Sequence, residues 1–355
     1  MTGVAAHLSR IWYAPTATPL AQLLRPLSWL FGALAALRRA AYRHGVLRRV
    51  RLPVPVVVVG NIMAGGAGKT PLVAALVEAL RDRGWHPGIV SRGYGRDATD
   101  TRAVHASDDA RDAGDEPLIL AATGVPVWVG PRRASAAQSL LTAHPDVDVI
   151  VADDGLQHYA LARDVEIAVI DAARGFGNGL LMPAGPLREP PSRLESVDAV
   201  VRLSRAPAPD PAARPVRGAF AMTQQPQPWR NVADSSLAFD ARVLQDAATV
   251  ALAGIADPGR FFDALRAHGF AGRAKAFPDH HRYSRDDVAF PGAPAVLMTE
   301  KDAVKCRAFA DARMWMLPIR AHIDPALVDL VTEKLDGSEI ARDARLSGHQ
   351  GTAHP

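Results

Sequence analysis

The chain has 355 residues but only one cysteine, Cys306, and aromatic residues make up just 6% of it. A single cysteine excludes a disulfide framework and any zinc site built from cysteines, so the sequence favours a reducing, cytoplasmic setting. Hydrophobic residues make up 48%, which excludes disorder as the general state. No internal repeat is evident, and the length is sufficient for two domains.

Residues 1–51 lack acidic side chains, and this segment carries eight arginines. It therefore holds +8, against a net charge of +4 for the whole chain, which leaves −4 for the remainder. A basic arm on a mildly acidic body predicts contact with a polyanionic surface, either nucleic acid or anionic lipid. The arginines are Arg10, Arg25, Arg38, Arg39, Arg43, Arg48, Arg49 and Arg51.

The same arm has an apolar pattern. Between Leu20 and Leu37, large apolar residues recur at spacings of three and four, which makes one apolar stripe if the segment is helical. Trp12, Tyr13 and Trp29 are of the aromatic types that favour a bilayer interface. The pattern therefore favours lipid over nucleic acid, and no RNA- or DNA-binding motif accompanies the arginines.

Two interpretations of the arm remain open. Arg25 and Pro26 interrupt the apolar run, and the stretch 27–37 that follows is too short to span a bilayer. The run is also unlike a cleaved signal peptide, because it is long and more arginines follow it. We expect residues 1–50 to form a basic amphipathic helix that docks on an anionic membrane surface. The alternative is a helix packed on the protein's own core, with its arginines in solvent.

A glycine-rich turn follows four valines at residues 56–70, VVVVGNIMAGGAGKT. Small residues after a buried strand let backbone N–H groups approach phosphate oxygens, and the next helix points its positive end at the anion. The strict P-loop pattern requires glycine five residues before Gly68, where this chain has Met63. We predict a nucleotide-binding loop of the deviant GGxGKT type; the alternative is a flexible surface turn. The predicted nucleotide-binding residues are Gly65, Gly66, Ala67, Gly68, Lys69, Thr70 and Pro71.

Short apolar strands alternate with helical stretches along most of the chain. Besides the valine run, strands are predicted at 87–90, 126–129, 148–152, 166–171 and 198–203, with helices at 71–83 and 132–141. This alternation predicts an α/β protein with a P-loop-type, doubly wound, mostly parallel sheet. A Pro-rich interval at 206–215 and the segment QQPQPW at 224–229 resemble a linker, and a second α/β pattern follows. The predicted units are the arm (1–50), a P-loop domain (51–230), a smaller α/β domain (231–336) and a polar, disordered tail (337–355).

Two groups of carboxylates stand at the ends of predicted elements. Asp153 and Asp154 follow an apolar strand, where P-loop folds hold Mg²⁺; the alternative for one of them is a turn cap. In the segment GDEP, Asp115 and Glu116 begin an apolar helical stretch. Ordinary capping explains that pair, with Asp115 as the N-cap, and position alone does not make Asp115 a catalytic base.

Two polar segments lie in the predicted smaller domain. DHHRY (279–283) is dense in titratable groups, and a histidine oriented by Asp279 could exchange protons with a carboxylate of the first domain. TEKD (299–302) follows an apolar strand. It has two equal interpretations, a nucleobase-recognition segment or a polar strand end with an N-cap.

Together these segments resemble the lipid A 4′-kinase (tetraacyldisaccharide 4′-kinase) family. The long run at 166–190 is required by no general nucleotide-binding pattern, and the family itself lacks glycine at the position of Met63. The resemblance therefore rests on specific motifs. In the family's order, over roughly residues 54–306, they are VVGNIMAGGAGKTP, SRGYGR, GDEP, VADDGLQHY, EIAVIDAARGFGNGLLMPAGPLREP, FPDHHRY and MTEKDAVKC.

The resemblance implies a kinase that transfers the γ-phosphoryl group of ATP to the 4′-hydroxyl of a tetraacyl glucosamine disaccharide 1-phosphate in lipid A biosynthesis. It also implies Mg²⁺ as a cofactor and a peripheral position on the cytoplasmic face of the bacterial inner membrane. The arm suits this position, because an enzyme docked at the interface need not extract the acyl chains of its substrate.

The resemblance also implies roles for individual residues. Lys69 and Thr70 would hold phosphates and Mg²⁺, with Asp153 and Asp154 at the metal. Asp115 matches the family's proposed base, which reverses the order of the two interpretations of GDEP, and we expect His280 rather than His281 as its partner. Lys69, Asp115 and His280 are thus the expected catalytic residues. The residues expected to face the substrate are Arg92, Arg96, Glu116, Arg188 and Glu189.

Two other functions remain as alternatives. The first is a nucleotide-hydrolysing switch or synthetase of the GGxGKT type that acts at the membrane. The second is a membrane-associated binding protein with a degenerate loop. The intact Lys69, Thr70 and aspartate pair argue against a degenerate loop.

Overall fold

The structure, a computed structural model, describes residues 11–14, 18–204 and 218–338. The predicted Pro-rich interval and the predicted tail from residue 339 lie outside the described residues. The helices are α1 (Pro19–Arg43), α2 (Lys69–Asp82), α3 (Ala110–Ala113), α4 (Asp115–Ala121), α5 (Arg133–Ala143), α6 (Pro258–Ala267), α7 (Arg285–Val288), α8 (Glu300–Cys306) and α9 (Pro325–Asp336). The strands are β1 (Val56–Gly60), β2 (Pro87–Ser91), β3 (Arg102–Ala103), β4 (Val127–Val129), β5 (Val149–Ala152), β6 (Val165–Asp171), β7 (Ala199–Ser204), β8 (Ala219–Pro226), β9 (Arg230–Asn231), β10 (Val250–Ala253), β11 (Arg273–Ala276), β12 (Val296–Thr299), β13 (Met314–Leu317) and β14 (Ile319–Ile323).

The large sheet has the strand order β14-β8-β7-β6-β1-β5-β2-β4-β3. The strands from β8 to β4 run parallel, whereas β3 and β14 join antiparallel at the two edges. From β1 the chain first builds one half of the sheet and then crosses to the other half at β6. Ligands of doubly wound sheets bind beyond the carboxyl ends of the strands at such a switch point. The predicted fold class is confirmed.

The valine run at 56–59 is buried on both faces of the sheet. Val57 and Val59 belong to one hydrophobic cluster, and Val56 and Val58 belong to another. Successive side chains of a strand point to opposite faces, so a central strand covered by helices on both sides must be apolar throughout. This places the following glycine-rich turn at the centre of the sheet edge.

A second sheet of five strands has the order β11-β10-β12-β13-β9, parallel except for β9. Two neighbouring connections join it to the large sheet, one from β8 to β9 and one from β13 to β14. These connections are themselves paired, since the Gln227 N–H donates to the Pro318 carbonyl at 2.9 Å. The larger and smaller units are therefore linked by two adjacent backbone segments rather than one.

Two predicted boundaries are wrong. The segment 224–229, expected as a linker, includes the end of β8. Residues 319–336, expected in the smaller unit, return to the larger one as β14 beside β8 and as α9, whose Leu327, Val331 and Leu335 join the main core. The chain thus covers an edge strand with a segment about one hundred residues later, a pairing that local periodicity does not reveal.

Helix α1 is continuous over 25 residues, so Arg25 and Pro26 interrupt the apolar run in the sequence but not the helix. The Thr18 side chain accepts from the Ala21 N–H at its start, and Pro26 removes one hydrogen bond without ending the helix. By length and composition this helix is apolar enough to cross a membrane. The helix is therefore longer than the apolar stretch 27–37 by itself.

One face of α1 packs on the protein and the other is exposed. Ser28 is buried, donates to the Leu181 carbonyl at 2.8 Å and accepts from the Ala184 N–H at 3.1 Å. The opposite face leaves most of the leucine stripe in contact with solvent, and Leu23 is 74% exposed. One face of the helix thus packs on the body, as the alternative interpretation expects, while the other face leaves an apolar surface exposed, and membrane docking stays a prediction.

Candidate active site

The glycine-rich segment forms a turn between β1 and α2. Gly68 is the N-cap of α2 with φ +85°, a left-handed conformation that favours glycine, and Lys69 and Thr70 open the helix. Gly65 and Gly66 are exposed, so their backbone is accessible. The N-terminus of α2 therefore opens at an accessible glycine turn, which suits a phosphate-binding loop.

Met63 occupies the position where the strict loop pattern has glycine. Its side chain is 5% exposed and packs in a cluster with Leu187 and Leu194. The Ala64 N–H donates to the Pro186 carbonyl at 2.8 Å, so the loop is fastened to the segment 185–189. Met63 therefore holds the start of the loop in place by hydrophobic packing, where a glycine would leave it flexible.

Asp153 and Asp154 lie beyond the carboxyl end of β5, next to β1. Asp154 has φ +46°, and its Oδ1 lies 3.4 Å from Lys69 Nζ and 3.5 Å from Arg188 Nη1. Burial would raise the pKa of Asp154, but these cations hold it below its usual value. Burial also raises the pKa of Asp153, with the charges of Glu116 and Asp154, to about 7. Lys69 and Arg133 lower the pKa of Asp153 too, but burial outweighs them there, so the pKa values of the two adjacent carboxylates shift in opposite directions.

The aspartate pair fits a divalent cation. Asp153 is 1% exposed, and within residues 18–204 and 218–338 neither of its carboxylate oxygens has a hydrogen-bond partner. A buried carboxylate without a donor is costly unless a cation is bound beside it. Among the described residues, no group of three or more His, Cys, Asp or Glu side chains could hold a metal. Mg²⁺, which binds through one or two carboxylates plus phosphates, is the cation that this donor set suits.

Asp115 and His280 come from different units and meet at the cleft. Asp115 is 4% exposed, its Oδ1 accepts from the Glu116 N–H at 2.9 Å, and its Oδ2 lies 2.9 Å from His280 Nδ1. Burial would raise the pKa of Asp115, but the His280 hydrogen bond and the charge of Lys301 hold it below its usual value. The N-cap of α4 is Gly114, so the capping interpretation of Asp115 is wrong.

The choice between the two histidines agrees with the geometry. His280 has φ +58°, a strained backbone conformation that turns its ring toward Asp115. His281 points elsewhere, because its Nε2 lies 3.3 Å from Asp287 Oδ2 and its ring stacks on Phe277 at 4.5 Å. His280 is therefore the histidine of the cleft.

The comparison with known proteins now becomes decisive. The model of the tetraacyldisaccharide-1-phosphate 4′-kinase family matches residues 20–336. The chain belongs to this family. The tetraacyldisaccharide 4′-kinases of Dechloromonas aromatica strain RCB and Azoarcus sp. strain BH72 are 49% and 53% identical to it. These matches cover 95% and 89% of this chain and 100% and 92% of the two relatives.

A solved structure is also similar. The crystal structure of "apo" form LpxK from Aquifex aeolicus in complex with ATP is 28% identical to this chain, with a TM-score of 0.76. The match covers 89% of this chain and 99% of that one. The family resemblance drawn from seven sequence motifs is confirmed, and the chain is a lipid A biosynthesis kinase.

The arginines expected to face the substrate of this 4′-kinase differ in their surroundings. Arg92 is exposed at the end of β2, and Arg188 lies at the Asp154 carboxylate. Arg96 folds back on its own loop, where it donates to the Asp100 backbone, and its side chain is 4% exposed. In this conformation the guanidinium stabilises the loop after β2, and the substrate role of Arg96 stays a prediction.

The two glutamates also differ. Glu116 is partly exposed, and its Oε1 lies 3.3 Å from Lys301 Nζ. Glu189 is buried, accepts from the Tyr159 hydroxyl at 2.6 Å and from the Gln157 amide at 2.8 Å, and lies 3.4 Å from Arg193 Nε. The structure places Glu189 within a buried polar network of the kinase, whereas Glu116 lines the cleft.

Lys301 was missed as a catalytic-site residue. Thr299 is the N-cap of α8, which agrees with the N-cap interpretation of TEKD, and the next turn carries Lys301 into the cleft. Its Nζ lies 3.8 Å from Asp115 Oδ2, 3.5 Å from Asp279 Oδ1 and 3.3 Å from His280 Nε2. Burial would lower the pKa of Lys301, but the surrounding carboxylates raise it. Only the packing of α8 on α4 brings this lysine there.

Two further residues near the kinase cleft were not predicted. Tyr94, within the SRGYGR motif, is 62% exposed, and its ring centroid lies 4.9 Å from that of His280. Arg133 donates to the Asp154 carbonyl at 3.2 Å, and burial lowers its pKa to about 10. The motif was a usable signal for Tyr94, whereas no sequence pattern singled out Arg133.

Proposed function

We propose that this enzyme transfers the γ-phosphoryl group of ATP to the 4′-hydroxyl of a tetraacyl glucosamine disaccharide 1-phosphate, with Asp115 as the base. The observation that carries the proposal is the Asp115–His280 hydrogen bond of 2.9 Å across the two units. Glu116, beside Asp115, raises the pKa of Asp153 by its charge, so the base and the phosphate end share one cleft. ATP as the donor is supported by the ATP complex of the similar Aquifex aeolicus protein.

The loop residues would position the donor. Backbone N–H groups from Gly65 to Thr70 would donate hydrogen bonds to the phosphate oxygens, and Lys69 Nζ would move from Asp154 to the β- and γ-phosphates. Phosphoryl transfer depends mainly on alignment and charge neutralisation. Asp115 therefore need only orient the 4′-hydroxyl and take its proton as the oxygen bonds to phosphorus and the ADP oxygen leaves.

Mg²⁺ would be held by Thr70, Asp153 and Asp154. When bound, it would neutralise the negative charge of the phosphates during transfer. The support from this chain is the buried Asp153 carboxylate, which has no donor among the described residues. Asp154 would stay beside Arg188, whose Nη1 lies 3.5 Å from its Oδ1.

Helix α1 would hold the enzyme peripherally on the inner membrane. Its exposed leucines and Trp29 form a continuous apolar face, while Arg38, Arg39 and Arg43 follow toward its C-terminal end. Arg39 also reaches the body, with Nη1 3.9 Å from Glu189 Oε2. A helix bound along the interface would keep the acyl chains of the substrate in the bilayer while the sugar enters the cleft.

The test is an assay with γ-labelled ATP, the acyl disaccharide 1-phosphate and thin-layer separation. Label in the lipid supports the kinase, whereas label found only in free phosphate supports a nucleotide-hydrolysing switch. Asp115→Asn should lower kcat by about 10²- to 10⁴-fold, the usual contribution of a general base. Asp286→Asn, an exposed site on α7, is the matched control and should keep normal activity. If Asp115→Asn phosphorylates lipid at the wild-type rate, the base assignment is refuted.

A further inference from the structure

Lys301 contacts the ring nitrogen of His280 that does not face Asp115. Its Nζ lies 3.3 Å from His280 Nε2, while the other ring nitrogen, Nδ1, lies 2.9 Å from Asp115 Oδ2. Each ring nitrogen therefore faces a partner of fixed hydrogen-bonding character. The partners come from different units, because Asp115 begins α4 and Lys301 lies in the first turn of α8.

The chemistry of the two partners leaves one consistent arrangement. A lysine ammonium has three donors and no acceptor, and an ionised carboxylate only accepts. Lys301 Nζ must then donate to a lone pair on Nε2, so Nε2 carries no proton. The His280 proton is on Nδ1 and is donated to Asp115. A histidine with its only proton on Nδ1 is neutral.

We propose that Lys301 is a positioning residue that locks His280 in the neutral, Nδ1-protonated tautomer and so keeps its hydrogen bond directed at Asp115. In this arrangement Nε2 is occupied by the ammonium and does not accept the substrate proton, which goes to Asp115. Each carboxylate oxygen of Asp115 accepts one hydrogen bond and retains a lone pair for the hydroxyl. The inference rests on the proposed role of Asp115 as the base.

The surroundings of His280 support the need for such a lock. Asp115 and Glu116 approach from α4, Asp279 precedes the histidine, and Lys301 and Lys305 come from α8. Asp279 Oδ2 lies 3.8 Å from Nε2. Without the ammonium, Nε2 would face a carboxylate and could take up a proton, either as the other tautomer or as imidazolium. The aromatic ring of Tyr94 adds no charge to this balance.

The direct test is the tautomer. Histidine ¹⁵N–¹H correlation spectra of the full chain distinguish protonated from unprotonated ring nitrogens, and His280→Gln assigns the signal among the twelve histidines. We expect an unprotonated Nε2 in the wild type and a protonated Nε2 in Lys301→Met. Lys301→Arg should keep the wild-type pattern, because guanidinium also only donates. A wild-type Nε2 that carries a proton, or a Lys301→Met pattern that is unchanged, overturns the inference.

Kinetics provide the second readout. Lys301→Met should lower kcat by at least about tenfold with little change in KM for ATP, since general-base contributions depend on proton position. The acid limb of kcat/KM should also move to higher pH, because Lys301 is one of the groups that lower the pKa of Asp115. Lys301→Arg should recover part of kcat, and Lys275→Met, an exposed lysine on β11, is the control. A normal kcat and an unmoved acid limb in Lys301→Met would contradict the proposal.

The two readouts also separate this inference from the proposed function. If Asp115→Asn keeps full activity while the tautomer changes in Lys301→Met as expected, the base assignment fails and the tautomer lock stands. If Asp115→Asn is inactive and Lys301→Met leaves the tautomer unchanged, the lock fails and the base assignment stands.

Discussion

Asp153 offers the sharpest test of the electrostatics of the cleft. Burial, with the charges of Glu116 and Asp154, raises its pKa to about 7, from an ordinary value of 3.8. Between these two values the folded protein binds a proton that the unfolded chain has lost, so the free energy of unfolding falls as the pH rises through this window. Each pH unit corresponds to about 1.4 kcal/mol, so between about pH 5 and pH 7 the loss is roughly 2.7 kcal/mol.

The perturbation is Asp153→Asn, which resembles the protonated acid at all pH values. We expect the variant and the wild type to have similar stability at about pH 5, and the variant to be more stable by roughly 2–3 kcal/mol at about pH 8. The assay is denaturant unfolding of both proteins at several pH values, without nucleotide or Mg²⁺. Titrating groups that do not interact with Asp153 contribute equally to both proteins, so they cancel in the difference.

Asp154→Asn is the neighbouring comparison. Burial works against the ionised form of Asp154, but Lys69 and Arg188 lower its pKa, so this carboxylate is ionised throughout the window. Its charge is one cause of the raised pKa of Asp153, so the stability difference between Asp154→Asn and the wild type should vary with pH in the same direction as that of Asp153→Asn, but less. The reasoning is refuted if the difference for Asp153→Asn is independent of pH, because Asp153 would then be ionised in the folded protein throughout.

Two further predictions concern helix α1 and the smaller unit. Replacing the exposed Leu23, Leu30 and Leu37 by serine should lower the partitioning of the protein to anionic vesicles by at least about tenfold, measured by sedimentation. The reason is that each apolar side chain buried in the membrane contributes about 1.5–3 kcal/mol. Unchanged sedimentation would exclude α1 as the docking surface. Asp302→Ala should lower the free energy of unfolding by about 3–5 kcal/mol, measured by denaturant unfolding. The Lys305 ammonium lies 3.0 Å from the Asp302 carboxylate, and the lysine side chain is only 7% exposed, so the substitution leaves a buried charge without its counter-ion. A loss below about 1 kcal/mol would show that the pair is replaceable.

The strands and helices of the large sheet were predictable because each is indicated by the pattern of apolar residues in one short segment. The valine run, the helix after it and the strand before Asp153 all appear in the structure close to their predicted bounds. Alternation of strands and helices also indicated a doubly wound sheet, since parallel strands need helical crossovers. The motif resemblance then identified the family, which the comparisons confirmed.

The differences between prediction and structure lie where a distant segment completes a local one. β8 is an edge until β14 pairs with it, so local periodicity predicts a linker at 224–229 and places 319–336 in the smaller unit. Helix α1 continues through Pro26 and packs Ser28 on the segment 181–184, a contact with no local signal. Both outcomes depend on contacts between residues far apart in sequence.

The amino-acid sequence by itself determined the phosphate loop, the strand-end aspartates and the family, because their chemistry depends on residues adjacent in the chain. Only the tertiary structure decided that Arg96 turns away from the cleft, that Glu189 is buried, and that Lys301 meets His280. Those outcomes depend on how the smaller unit packs against the larger one, with Val304 of α8 and Leu118 of α4 buried in the same core. Hydrophobic periodicity reports local structure and does not indicate which distant segments pack together, so only the tertiary structure reveals these contacts.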